Sequence, residues 1–157
     1  MINRKPPPRT ALFAALCILL MGAALLAPAT LAQNGVTNRG VFKRMNTMAG
    51  ARTAIEVLVN MMAGRVRFDR VQARTARRGL IDSTRSIPVV FKKPHSDPLS
   101  RARPDIWHRW NDFKARADTA KRAAMRLNVD RLGALRTTLP DLINACLDCH
   151  QTYRRPR

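Results

Sequence analysis

Two cysteines three residues apart, with a histidine directly after the second, lie close to the end of this chain: Cys146-Leu147-Asp148-Cys149-His150 stops seven residues before Arg157. On a helix, residues three and four apart share a face. Both thiols can therefore add to the two vinyl groups of one porphyrin while the adjacent imidazole is brought to its iron. C-x-x-C-H is the attachment pattern of c-type haem. It constrains the fold, because a cofactor of that size fills space between the elements around it. The competing readings each lack something. A zinc site needs four ligands, and His95 and His108 are far from the motif in sequence. A thioredoxin-like dithiol belongs in an α/β context and has no use for the histidine. A structural disulfide between i and i+3 inside a helix closes a poor loop.

The N-terminus supplies the compartment that this chemistry needs. Residues 1–9 carry Arg4, Lys5 and Arg9 without an acid, and the 17 residues 11–27 are uncharged and apolar. Ala29-Thr30-Leu31-Ala32 then places small residues at the two positions that a signal peptidase reads. A run of this length is also at the low end for a spanning helix, so a retained membrane anchor is the other reading. Pro28 and the small residues after it favour cleavage. We therefore expect a signal peptide over residues 1–32 and one periplasmic domain over residues 33–157, with membrane association only if the leader is retained. Cys17 leaves with the leader, and Leu16 before it argues against a lipoprotein site. Cys146 and Cys149 are then the two cysteines of an exported, oxidising environment.

The domain reads as helical throughout. From residue 39 to 63, Phe42, Met45, Met48, Ile55, Leu58, Val59 and Met62 recur every three or four residues, and Gly64 predicts the stop. A weaker second helix spans Asp69 to Ser86, with Val71, Leu80 and Ile81 among Arg74, Arg77 and Arg78. Pro88, Pro94 and Pro98 make residues 88–103 the long loop. Pro104 suits the first turn of a third helix running through Ile106, Trp107, Trp110, Phe113, Ala117, Ala120 and Ala124 to Leu127. Asn128-Val129-Asp130 predicts a short turn, with Asp130 as N-cap of a fourth helix. Leu132, Leu135, Leu139, Leu142, Cys146, Cys149 and Tyr153 continue that helix's apolar face, and Pro140 predicts a kink or a restart. Aromatics at 5% lean the same way, since strands favour them. Four helices and one long loop make an all-α four-helix bundle, with the haem on its C-terminal helix. No glycine-rich phosphate loop, strand pattern or repeat is visible.

Ordinary soluble cytochromes c carry their motif near the N-terminus, whereas here it sits on the last helix of a bundle. Around it stand Arg44 and Met48 on the first helix, Gly64 with Phe68-Asp69 opening the second, and Ile87-Pro88 and Phe91 in the loop. Arg103-Pro104-Asp105-Ile106-Trp107 opens the third helix, and Tyr153-Arg154 follows the motif. In these features the chain resembles the cytochrome c′ family, the class II c-type cytochromes, over essentially all of residues 33–157. The resemblance implies an antiparallel bundle with one covalently bound haem c between the helices, in a homodimer. It implies that Cys146 and Cys149 carry the haem and that His150 is the proximal axial ligand. It further implies that Arg44 pairs with a haem propionate, a charge-assisted bond, and that Arg103 meets the propionates as well. Arg154, one helical turn past His150, matches an arginine that can affect ligand entry on the proximal face. Each of these arginines has a plainer reading as one solvated cation among the 26 basic residues that follow the leader. Met45 falls where many members place a polar residue, a departure that removes one propionate contact.

Met48 separates two functions. By the family's spacing, twenty residues before Phe68-Asp69, it stands on the distal face of the haem. In five-coordinate members an apolar side chain fills that space; in low-spin members a methionine binds the iron. A methionine at helical spacing is otherwise core filler. The first function is electron transfer through a six-coordinate iron; the second is binding of small uncharged gases such as nitric oxide or carbon monoxide. A haem enzyme ranks third, because no distal His, Arg or acid is evident to handle protons on an oxygen ligand. The net charge of +19 reads either as solvated arginine-rich helix faces or as a docking field for an acidic redox partner or an anionic membrane. Such a field speeds encounter and weakens with salt. Export, and the lack of an aromatic stacking platform, argue against nucleic acid. His95 and His108 read as surface residues, and Trp107 and Trp110 as core.

Overall fold

The computed structural model describes residues 35–156, so the signal peptide expected over residues 1–32 lies outside the described residues. Five helices form: α1 Arg39–Met62, α2 Arg70–Val90, α3 Asp105–His108, α4 Trp110–Arg126 and α5 Leu132–Tyr153. The four long ones close a ring, α1 on α2, α2 on α4, α4 on α5 and α5 on α1. This is an antiparallel four-helix bundle, all-α as the apolar periodicity requires. No helix among the described residues is long and apolar enough to cross a membrane.

Caps explain where the first two helices begin. The Asn38 side-chain oxygen accepts from the N–H groups of Gly40 and Val41 at 2.9 and 3.1 Å. Asp69 does the same for Val71 and Gln72 at 2.7 and 3.0 Å. α1 ends as expected, with Gly64 at φ 71°, the left-handed geometry that glycine adopts without steric cost.

Three expectations need correction. The loop predicted from Pro88 does not start there: α2 continues through Pro88 to Val90. Proline's φ suits a helix, and so near the end it removes one N–H bond, while the Phe91 N–H still closes on Ile87 at 3.1 Å. The third helix is not continuous. It breaks at Arg109, whose φ and ψ are −117° and 47°, although Arg109 N–H still reaches Asp105 at 2.9 Å and Phe113 N–H reaches Arg109 at 3.0 Å. The break sets the Arg109 guanidinium over the Tyr153 ring, 5.3 Å from its centroid. Asp130, finally, does not cap α5, which starts after Arg131 with no side-chain cap. Its carboxylate is drawn instead to Arg74 at 2.8 Å. At Pro140, α5 runs on unbroken, held on both sides by the fully buried Leu135, Leu139 and Leu142.

The buried interior falls into two clusters. The larger joins Leu58 and Met61 of α1, Leu80 of α2, Ala123 and Ala124 of α4, and the leucines of α5. The smaller is aromatic: Phe91, Ile106, Phe113 and Tyr153, with Met48, Trp107, Trp110 and Cys149 against its edge. Phe113 is its hub, with ring centroids at 5.3 Å from Phe91, 5.5 Å from Trp110 and 5.3 Å from Tyr153. Each such pair adds roughly 0.5–1.5 kcal/mol beyond its buried area.

Polar ties then fasten the loop and the tail to this end of the bundle. Arg44 is buried, with 2% of its surface exposed, and burial pushes its pKa down. Its guanidinium donates to the carbonyls of Val90 at 3.1 Å, His95 at 2.9 Å and Lys93. It also lies over the rings of Phe91 and Trp107, 5.2 and 4.9 Å from their centroids. Asp97 of the loop accepts from the backbone N–H groups of Asn38 at 3.0 Å, Leu99 at 2.9 Å and Thr37 at 2.9 Å, and these bonds hold its carboxyl below the usual range. The tail pairs with the loop through an antiparallel bridge between Ala102 and Arg154. The buried Tyr153 hydroxyl donates to Asp112, tying α5 to α4. Burial, with this bond, pushes Tyr153 up to about 12, and the same bond, with Arg116, depresses Asp112.

Two outcomes follow. Arg44→Met should lower the unfolding free energy of the haem-loaded protein by about 2–4 kcal/mol in urea titration, because three carbonyls lose a charged donor; a loss below ~0.5 kcal/mol would mean that the loop is held otherwise. For Asp112→Asn the effect should depend on pH. A carboxyl depressed by folding contributes stability above its unfolded pKa and loses it as pH falls through the folded value. The stability gap between wild type and Asp112→Asn should thus be constant near neutrality and narrow progressively as pH falls below about 4; a gap that does not narrow on acidification would refute the assignment.

Candidate haem-attachment site

α5 carries the motif to the aromatic end of the bundle. Cys146, Cys149 and His150 are all half-buried, and both cysteines are free thiols. The two thiols serve different clusters: Cys146 packs against the larger one and Cys149 against the aromatic one. The motif therefore straddles the seam of the interior. Burial pushes the Cys149 thiol up to about 11, and raises Cys146 as well. Among the described residues no group of three or more His, Cys, Asp or Glu side chains is placed to hold a bare metal ion.

Burial also lowers the pKa of His150, and the positive charges of Arg154 and Arg101 lower it further. A neutral imidazole keeps the lone pair that a metal requires. Arg154 is exposed and touches His150 only through its backbone, N–H to carbonyl at 3.0 Å; its side chain acts on the imidazole as charge. Arg103 is exposed too, and paired with Asp105 at 3.2 Å. Arg44 lies one turn before Met48 on α1, inside the aromatic end. Three of its five N–H groups serve the loop carbonyls, which leaves two for another acceptor. Met48 is half-buried and packs against the same aromatic cluster as Cys149. Trp107 and Trp110 line that cluster, as expected of core residues; Trp107 also donates through Nε1 to the Phe91 carbonyl at 2.8 Å. His108 is exposed, whereas His95 is half-buried, its ring lying against Gly40, where an added Cβ would collide with it.

Two residues at this site escaped the reading of the sequence. Arg116 of α4 reaches Asp112 at 2.9 Å and Asp148, inside the motif, at 2.6 Å, so it ties the attachment turn to the neighbouring helix. The i, i+4 spacing of Asp112 and Arg116 was the available signal. Arg101 donates to the Arg155 carbonyl at 3.1 Å and places its charge near His150; nothing local in the sequence marks it. Together these side chains fit a covalently held haem: two thiols on one helical face, a neutral imidazole next to them, and a thioether among aromatic rings. Cys146 and Cys149 would hold the group and His150 would ligate its iron, which supplies one-electron redox chemistry and an affinity for small gases.

Comparison with known proteins gives the family of the chain. The family model described as Cytochrome C' matches residues 40–154. Cytochrome c-556 of Agrobacterium fabrum is 31% identical over 135 residues, covering 83% of this chain and 87% of the relative. Cytochrome c-555 of Bradyrhizobium diazoefficiens is 26% identical over 110 residues, covering 66% and 74%. Among solved structures, oxidised cytochrome c556 of R. palustris superposes with a TM-score of 0.67 at 18% identity, covering 76% of this chain and 98% of that one. A ferrous variant of cytochrome c prime from Alcaligenes xylosoxidans with bound NO gives a TM-score of 0.67 at 19% identity, covering 75% and 94%. On the family match and the attachment motif that it includes, the chain belongs to the cytochrome c′ family and carries one covalently attached haem c.

Proposed function

We propose that this protein is an exported electron carrier of the periplasm, with Met48 as the distal axial ligand of the haem iron. Proteins of this family are haem electron carriers or gas binders rather than classical enzymes, and they are typically periplasmic. The observation that supports the carrier reading is the placement of Met48: its side chain packs into the cluster that also takes Cys149, next to the proximal His150. A thioether is a soft, neutral ligand that favours ferrous iron and raises the reduction potential. Phe91, Trp107 and Trp110 surround the same space with apolar rings, and an apolar setting of this kind would limit reorganisation when an electron arrives. Arg44, Arg103 and Arg154 are the cations proposed to face the haem: the first two toward its propionates, the third beside the proximal ligand. The excess of Lys and Arg would steer acidic redox partners, and the leader over residues 1–32 supports export. A homodimer remains part of this proposal by analogy with the family.

A second reading is favoured by the fold likeness to the NO-bound cytochrome c prime of Alcaligenes xylosoxidans. In it Met48 is a plug rather than a ligand, and small gases enter past it.

Covalent attachment has a direct check: intact mass after acid–acetone extraction should equal the polypeptide plus one haem, and loss of the haem would refute thioether bonding. The role of Met48 is read from spectra. Under the carrier reading the oxidised protein is low-spin with a weak methionine–iron charge-transfer band, and Met48→Leu turns it high-spin and faster to bind carbon monoxide. A wild type that is already high-spin, with carbon monoxide binding accelerated in Met48→Ala, establishes the gas-binding reading instead. Spectra and rates unchanged in both variants would place Met48 away from the haem.

A further inference from the structure

At the opposite end of the bundle, α2 and the turn between α4 and α5 enclose a cleft of about 490 Å³. Along α5, the eighteen residues from Leu132 to His150 separate it from the haem ligand by ~27 Å, so it is no part of the attachment site. Four of its lining side chains are arginines, Arg74, Arg77, Arg78 and Arg126, and one is an acid, Asp130.

The protein's own acceptors leave this charge largely unmet. Asp130 is engaged by Arg74 at 2.8 Å. Arg78 finds only Thr75 of its own helix, at 3.0 Å, and Arg126 is exposed on the last turn of α4. Arg77 donates through Nη2 to the Met125 carbonyl at 2.6 Å. Its Nε, however, is the one buried side-chain nitrogen or oxygen among the described residues with no hydrogen-bond partner. A buried donor on a charged group is costly to leave unsatisfied, and native structures rarely do so without a reason. Beside the cleft, α5 begins with no side-chain cap on its first N–H groups, which adds positive potential.

Four guanidinium groups in one concavity, with a single carboxylate among them, are suited to an acceptor rich in oxygen and negative charge. Guanidinium pairs with phosphate through two parallel bonds, and a cleft of this size accepts a small molecule. We propose that the arginine cleft binds a phosphate-bearing anion with two or more negative charges, presented either by a free solute or by the headgroups of an anionic lipid.

The test uses the haem-loaded protein at physiological ionic strength, where exposed charges are screened beyond a Debye length of about 8 Å. Pyrophosphate is titrated by calorimetry, and vesicles of phosphatidylglycerol are compared with vesicles of phosphatidylcholine by cosedimentation. The variant is Arg78→Gln with Arg126→Gln, two exposed side chains without long-range partners, so the fold is preserved. The control is Arg39→Gln with Lys43→Gln, which removes equal charge from the haem end of α1. Cleft-dependent binding, weakened about tenfold or more in the first pair and little in the control, supports the proposal. If it is seen with pyrophosphate the source is a free anion; if only with phosphatidylglycerol vesicles, a headgroup. Equal weakening in both pairs would reduce the effect to net charge and overturn the site. Absence of binding by both probes would overturn it as well.

Discussion

A guanidinium taken out of water needs acceptors for its N–H groups, and Arg44 finds them in a backbone segment 46 to 51 residues further along the chain. The carbonyls of Val90, Lys93 and His95 span the end of α2 and the start of the longest non-helical stretch among the described residues, so the same bonds that keep the cation buried give that stretch its course. Phe91 and Trp107 then stack against the guanidinium faces, and the aromatic cluster that receives Met48 and Cys149 is built outward from them. Removing water from one charge thus organises the loop, the rings and the wall of the cofactor site together.

The division of the interior into a leucine-and-alanine part and an aromatic part follows from the same arrangement. Alanines on α2 and α4 fill the interior away from the haem end, whereas large rings fill it where the motif lies. Cys146 and Cys149 touch one part each. A planar apolar group bonded to both thiols would border both parts, and Arg116 keeps the turn between the thiols fixed through Asp148.

Much of this was legible from local pattern. α1 and its glycine stop, the Asp69 cap and the motif itself depend on spacings of a few residues, and those rules operate within a helix. What could not be read depended on partners far along the chain. Asp130 has the chemistry of an N-cap, but Arg74 competes for its carboxylate from 56 residues away. Pro88 has the chemistry of a breaker, but near a helix end it removes one bond while Phe91, anchored in the aromatic cluster, keeps the last turn in place. The break at Arg109 goes with a contact to the ring of Tyr153 on another helix. Arg101 and Arg116 belong to the same class: each is one arginine among many until the tail and the motif are packed against it.

The two ends of the bundle are closed by chain segments of very different length. At the arginine-cleft end, α1 joins α2 and α4 joins α5 through a few residues around Gly64 and Asn128. At the haem end the loop must meet the N-terminal turn through Thr37 and Asp97, 60 residues apart, and the tail through Ser100 and Arg155, 55 apart. Closing a longer loop costs more chain entropy, and contacts between distant residues form more slowly. By that measure the two hairpins are the cheaper contacts to make, and those of the aromatic end the costlier. A bulky planar group enters a cavity most readily before its walls have met, and in this topology the thiols that receive it lie at the seam next to the contacts that cost the most chain entropy to close.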